Sequence, residues 1–169
     1  SAMPALGAVD GEHRDYAEIA EAMRDLSWSP KADHHELFDR VVAFVALGDT
    51  DDHLRNHGFL WDPRLAGWRL SPLYDVLPRP SLASERFLHL GVGPQGRLAT
   101  LDNALASHEM FTLSRAAACE MIADIWRVVR EWRVYFEGFG VPAQEIEKIA
   151  PAFRHLDEVT TPALRKLLP

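Results

Sequence analysis

Three oxygen-bearing side chains have the spacing of a phosphoryl-transfer site. Asp51 and Asn56 are five residues apart in the segment Gly-Asp-Thr-Asp-Asp-His-Leu-Arg-Asn-His-Gly, residues 48–58, and Asp75 lies downstream. The pattern D-x-x-x-x-N followed by a second Asp is that of a kinase catalytic loop and its metal-binding Asp.

The chemistry of phosphoryl transfer explains why these residue types are needed. Negative charge develops on the oxygens of the moving group, and Mg²⁺ neutralises it. Mg²⁺ prefers oxygen ligands, so we expect Asn56 and Asp75 to hold the ion and with it ATP. Asp51 is then the base that takes the proton of the incoming hydroxyl. His53 and Arg55 are both candidates to face the phosphates, and the two need not both do so.

A short pattern of this kind also occurs by chance, because Asp and Asn hydrogen-bond their own backbone in ordinary turns. The length of the match argues against chance. Asp-Thr-Asp-Asp-His-Leu-Arg-Asn-His-Gly-Phe-Leu (49–60) and Trp-Arg-Leu-Ser-Pro-Leu-Tyr-Asp-Val (68–76) resemble the signature of the HipA family of serine/threonine protein kinases, toxins of bacterial toxin–antitoxin pairs. Further similarity extends over residues 1–12, 131–133 and 149–153.

The resemblance implies a mainly α fold with a small β-hairpin, the C-terminal lobe of a protein-kinase-like (HipA-type) structure over residues 1–169. The D-x-H-x-x-N arrangement of Asp51, His53 and Asn56 is also similar to that of phosphoinositide kinases. The chain departs from ordinary protein kinases, which carry H-R-D at the base and Phe-Gly after the metal-binding Asp. Val76-Leu77 follow Asp75 here.

In the family, the Gly-rich loop and the ATP-binding Lys belong to an N-terminal lobe that precedes the point where this chain begins. The glycine-rich segment Gly91-Val92-Gly93-Pro94-Gln95-Gly96 is interpreted as a plain turn. We therefore expect the chain to fold by itself yet transfer no phosphate. The resemblance further implies three partners: the missing lobe, a helix-turn-helix antitoxin (HipB-like) and a protein substrate, such as a translation factor. The alternative is an inactive stand-alone lobe that acts as a protein-binding module.

Composition limits the other classes of function. The 169 residues are 47% apolar, enough for one core. A net charge of −7 without a basic run argues against direct nucleic-acid binding. No apolar run is long enough for a membrane span, and the single Cys119 is expected in the core of a cytoplasmic protein. The eight His residues lack the spacing of a zinc site.

The periodicity predicts helices around the loop. A capping-box pattern at Asp15 and Glu18 opens a helix over residues 15–26, and a second at Asp33 and Glu36 opens a buried helix that Gly48 ends. Two aromatic-rich segments, 58–61 and 67–71, predict a hairpin that brings Asp75 beside Asn56. The further elements expected are an irregular, mobile segment over 73–85, a strand over 87–92, and helices over 98–108, 112–137 and 142–150.

Overall fold

A computed structural model describes residues 1–9 and 11–168; Asp10, part of the N-terminal segment noted above, lies outside them. The protein is mainly helical with one two-stranded antiparallel hairpin. Within the described residues no helix is long and apolar enough to cross a membrane. The elements in chain order are α1 (Ala2–Ala5), α2 (Tyr16–Leu26), α3 (Pro30–Leu47), β1 (Phe59–Asp62), β2 (Gly67–Leu70), α4 (Leu101–Ala106), α5 (Arg115–Val129), α6 (Trp132–Gly138), α7 (Ala143–Ile149), α8 (Leu156–Val159) and α9 (Pro162–Arg165).

Helix α3 is the centre of the core. It packs against α2, α4, α5 and β2, and its apolar positions are buried nearly all round, as the sequence predicts. Gly48 ends it in the left-handed conformation with φ 68°. A Cβ at Gly48 would lie 2.2 Å from the carbonyl oxygen of Ala152, so only glycine fits there. The segment that follows Gly48 is therefore fixed to the most buried helix.

The sequence predicts a capping box at the start of both α2 and α3, and the structure has one only at α2. The capping box of α2 is confirmed: the Glu18 side chain accepts the backbone N–H of Asp15 at 2.8 Å. The predicted capping box of α3 is wrong. That helix begins one turn earlier, at Pro30, whose fixed φ suits the first helical position. Asp33 is instead fully buried inside the helix.

Asp33 ties the hairpin to α3. Its carboxylate accepts Arg69 Nε at 2.7 Å, the backbone N–H of Leu70 at 3.0 Å and the hydroxyl of Ser27 at 2.6 Å. The hairpin itself is confirmed, with Trp61 opposite Trp68 and their rings 5.4 Å apart. The second strand of the hairpin, β2, is thus anchored to a buried acid. This contact fixes where the chain leaves the hairpin toward Asp75.

The remainder of the chain is more broken than the sequence suggests. Residues 73–85 are irregular, as predicted, and residues 93–96 form the expected turn. The strand predicted over 87–92 is wrong: this stretch makes only isolated bridges, from Phe87 to Leu98 and from Gly91 to Asp15.

The long helix predicted over 112–137 is also wrong. It is two helices, α5 and α6, separated at Arg130 and Glu131. The apolar pattern continues across that break because Trp132 turns to stack on Phe153, with ring centroids 4.0 Å apart. The helices predicted over 98–108 and 142–150 are present in shorter form as α4 and α7, and Cys119 is partly buried against the core.

Candidate active site

The loop of residues 49–58 leaves α3 through a buried aspartate. Asp49 is 1% exposed. One carboxylate oxygen accepts the backbone N–H of Asp51 at 3.0 Å, and the other accepts that of Leu77 at 2.8 Å. The first bond is the local turn chemistry of Asp. The second joins the loop to the segment that carries Asp75.

Asp52 anchors the middle of the loop in the core. It is fully buried and accepts the Tyr16 hydroxyl at 2.7 Å and the backbone N–H groups of His89 and Leu90 at 2.5 and 3.5 Å. Burial raises the pKa of Asp52 to about 6. Burial, reinforced by the charge of Asp52, raises the pKa of Tyr16 well above its usual value, so its hydroxyl remains a donor.

His57 fills the space beside this network. The ring is fully buried between Tyr16 and Phe44, with edge-on contacts at 5.3 and 6.1 Å. Burial lowers the pKa of His57 to about 3, so the imidazole is neutral at physiological pH. Its backbone carbonyl accepts the N–H of Ala2 at 2.7 Å, which joins the N-terminal helix to the loop.

Asp51 and Asn56 are held in relation to each other by one bond. The amide nitrogen of Asn56 donates to the backbone carbonyl of Asp51 at 2.9 Å. A carbonyl oxygen can only accept, so the Asn56 atom that faces it is the amide nitrogen; this fixes the orientation of the amide and leaves Oδ1 as its acceptor. Asn56 is 3% exposed, whereas the Asp51 side chain is 46% exposed and reaches Arg79 at 2.5 Å. The loop therefore presents a carboxylate to solvent beside a rigid amide oxygen.

Asp75 is brought to this loop by its neighbours in sequence. The Tyr74 hydroxyl donates to the carbonyl of Arg55, and the N–H of Leu77 reaches Asp49. Asp75 itself is exposed and has φ 56°, in the left-handed region that non-glycine residues enter at a cost of about 1–2 kcal/mol. Such strain concentrates at functional sites, where the surroundings hold an otherwise unfavourable conformation.

The two candidates for phosphate contact differ in environment. His53 is half-buried, and its ring packs edge-on against His89 at 6.0 Å. His53 Nδ1 is buried and has no hydrogen-bond partner in the described chain. Arg55 is exposed. Of the two, Arg55 is the more exposed to solvent.

The donor set suits a hard divalent cation. Asn56 and Asp75, the predicted metal ligands, offer an amide oxygen and an exposed carboxylate. Across residues 1–9 and 11–168 no group of three or more His, Cys, Asp or Glu side chains is arranged to hold a metal by itself. Mg²⁺ fits this arrangement, because it is commonly bound through one or two carboxylates together with substrate phosphates and waters.

Sequence reasoning missed the residues that hold the site in place. The buried hydrogen bonds are made by Asp33, Asp49, Asp52 and Tyr16. The sequence alone predicts no role in the site for these four residues. The run of three Asp within four residues was the available signal for Asp49 and Asp52. Which of the three would point inward depends on the loop's path and is not encoded in their spacing.

Comparison with known proteins identifies the family of this chain. The family model described as "HipA-like C-terminal domain" matches residues 1–132. A protein of Haemophilus influenzae named "Putative kinase" is 31% identical over 88 residues, which are 50% of this chain and 25% of that protein. The chain thus matches only a quarter of the length of that relative. The match of the family model over most of the chain, including the whole loop and Asp75, shows that this protein belongs to the HipA-like C-terminal domain family.

Proposed function

We propose that this chain is the catalytic C-terminal lobe of a HipA-like serine/threonine protein kinase that transfers the γ-phosphate of ATP to a protein hydroxyl. The observation that carries the proposal is the attachment of the Asp75 segment to the loop of Asp51 and Asn56, on both sides of Asp75. Membership of the HipA-like family supports it, as does the kinase name of the Haemophilus influenzae relative.

Each side chain has a separate role in this proposal. Asp51, the exposed carboxylate, accepts the proton of the substrate hydroxyl and orients that oxygen toward phosphorus. Asn56 Oδ1 and the Asp75 carboxylate hold Mg²⁺, which when bound neutralises charge on the phosphates. Arg55 and His53 are the candidates to contact the phosphates, and Arg55 is the more exposed of the two. The buried bonds of Asp49 and Asp52 keep these groups in position.

The biological setting proposed is that of the family: a toxin held by a helix-turn-helix antitoxin, acting on a protein such as a translation factor. A further lobe that carries the Gly-rich loop and the ATP-binding Lys completes the nucleotide site. Without it the α- and β-phosphates lack a cradle, so the 169-residue chain should bind Mg²⁺ and nucleotide weakly and transfer no phosphate.

The experiment is Asp51→Asn in the full-length protein, assayed with labelled ATP beside a thermal melt. We expect phosphoryl transfer to fall by about 10²–10⁴-fold, the usual contribution of a general base, with little change in the melting temperature. Asp62→Asn, in the hairpin, is the matched control and should retain activity. Normal turnover in Asp51→Asn would contradict the proposal and favour the alternative of a protein-binding lobe without catalysis.

A further inference from the structure

A cavity of about 520 Å³ lies between residues 81–86 and the start of the C-terminal helices. Arg86, Arg154 and His155 line it. Glu158 is the only carboxylate in the lining among the described residues. None of the candidate catalytic or metal-binding side chains reaches this cavity, so it is separate from the site described above.

Arg86 is a buried cation that forms no ion pair within the described residues. It is 8% exposed, and its terminal nitrogens donate to the backbone carbonyls of Ser81 at 2.8 Å, Pro151 at 2.6 Å and Ala152 at 2.5 Å. Its Nε is buried without a hydrogen-bond partner, and no carboxylate in the described parts of the chain forms an ion pair with it. Burial, and then repulsion from Arg154, lowers the pKa of Arg86. Backbone carbonyls, and no ion-pair partner, satisfy this buried charge, so the cavity keeps a positive potential that attracts an anion.

Arg154 adds a second guanidinium to the same wall. Its side chain is 6% exposed and bonds the carbonyls of Ser84 at 2.9 Å and Glu158 at 2.8 Å. The Glu158 carboxylate is 3.3 Å from its Nε, a long contact, and that carboxylate is 52% exposed. Two buried guanidinium groups thus share one partly solvated carboxylate, in a chain whose net charge is −7.

We propose that this cavity is an anion site for a phosphate monoester and that its occupant is the phosphorylated side chain of Ser84. Planar guanidinium groups match phosphate oxygens, and a phosphoserine carries a charge of about −1.5 to −2 at neutral pH. Arg86, Arg154 and Glu158 leave a net charge of about +1 in the lining, which the first negative charge of a phosphate group offsets.

Ser84 is the residue placed to carry the phosphate. It is exposed, lines the cavity and has its carbonyl held by Arg154. Its hydroxyl makes no hydrogen bond within the described residues, whereas Ser81 Oγ accepts the N–H of Ala83 at 3.2 Å. In the modifying step the Ser84 oxygen bonds to the γ-phosphorus of a nucleoside triphosphate, the bond to the bridging oxygen breaks, the diphosphate leaves, and the serine proton is released.

A phosphate held here would act on the loop of the candidate active site. Arg86 Nη1 lies 2.7 Å from where a Cβ of Gly48 would be, at the junction of α3 and the loop. The same guanidinium bonds Ser81, at the end of the segment that carries Asp75. Neutralising Arg86 therefore fixes residues 81–86 against the start of the loop.

Inorganic phosphate tests the cavity without any kinase activity, so this result and failure of the proposed function are distinguishable. The 169-residue chain is titrated with phosphate by calorimetry, at ionic strength matched with NaCl. We expect saturable binding that Arg86→Gln weakens by about tenfold or more, since a buried positive charge beside the anion is lost. Glu158→Gln should tighten binding by at least about threefold, because a like charge is removed. Arg24→Gln, an exposed paired arginine on α2, is the control.

Glu158→Gln distinguishes loss of the anion site from loss of the fold. Arg86→Gln removes three backbone contacts and can lose structure for that reason alone, but tighter binding in Glu158→Gln requires an intact site. Absence of saturable binding in the unmodified chain, or equal affinity in Glu158→Gln and the unmodified chain, would overturn the anion site.

The occupant is tested with phosphoserine installed at position 84. In the folded chain we expect the ³¹P resonance to show a second phosphate pKa below that of a matched phosphopeptide, because the guanidinium groups stabilise the dianion. Added inorganic phosphate should no longer bind. If free phosphate binds the modified chain with unchanged affinity, the cavity takes free phosphate and the assignment to Ser84 is wrong.

Discussion

Two regions of opposite charge meet at Gly48. On one side the loop of residues 49–58, with Asp75, presents carboxylates; on the other, Arg86 and its cavity present guanidinium groups. Both are built the same way: the buried charge at the base is satisfied by backbone groups, N–H donors for Asp52 and carbonyl acceptors for Arg86. Neither buried group forms an ion pair within the described residues. We propose that other side chains of each region hold the ligand: Asn56 and Asp75 a cation in the first case, and the cavity lining an anion in the second.

The largest expected effect tests the acidic side. Asp75→Asn in the full-length protein should lower phosphoryl transfer by about a thousandfold, as loss of a preorganised charge at a phosphoryl-transfer site does. Nucleotide affinity should fall in the presence of Mg²⁺ and change little in EDTA, because the side chain is proposed to hold the ion and not the nucleotide. Calorimetric titrations with and without metal measure this. An equal loss of affinity in EDTA would remove Asp75 from the metal site.

The next effect compares two adjacent acids. Asp52→Ala should lower the free energy of unfolding by about 3 kcal/mol, since the Tyr16 hydroxyl and two backbone N–H groups lose their buried acceptor. Asp51→Ala, one residue earlier and half-exposed, should change it by less than about 1 kcal/mol. Urea unfolding of both variants measures the difference. Similar losses in the two would mean that the loop is not anchored at Asp52.

The buried acids show which features of the fold and the site can be predicted from the sequence and which cannot. The exposed Asp51 and Asp75 could be named from their spacing together with the family resemblance. The helix end at Gly48 and the hairpin could be predicted from local patterns. Asp33 was misassigned as a helix cap, because a local pattern cannot reveal that the hairpin, 36 residues later, brings Arg69 to the same carboxylate. Arg86 was missed for the same reason, since its partners at residues 151 and 152 are distant in sequence. Local rules predict caps and turns, whereas buried polar contacts depend on tertiary packing.

The pH dependence of stability separates two buried groups with opposite signs. Between about pH 4 and 6 the folded state keeps a proton on Asp52, whose pKa is raised to about 6, and the unfolded state has lost it, so stability falls as pH rises. His57, with its pKa lowered to about 3, binds a proton only when unfolded over this range, so its contribution rises with pH. The two slopes oppose each other in the unmodified chain.

Removing one group should expose the slope of the other. Asp52→Asn should gain stability with rising pH between 4 and 6, relative to the unmodified chain, by up to about 1.4 kcal/mol per pH unit, the value for one proton. His57→Phe should show the opposite change. Unfolding by urea at several pH values gives both slopes. Parallel curves for the three proteins would mean that these pKa shifts are absent in solution.

The smallest expected effect concerns the contact that joins the two regions. Arg79 donates its backbone N–H to the carbonyl of Gly48 at 3.3 Å, and its side chain reaches Asp51. Both partners of this ion pair are about half-exposed, so solvent and salt screen it. Arg79→Gln should therefore change the free energy of unfolding by less than about 1 kcal/mol, and by less still in high salt. The backbone bond remains in this variant, so the segment keeps its path beside Gly48. A salt-independent loss above about 2 kcal/mol would show that the ion pair is buried in solution, and that the acidic loop depends on a side-chain cation as well as on its backbone donors.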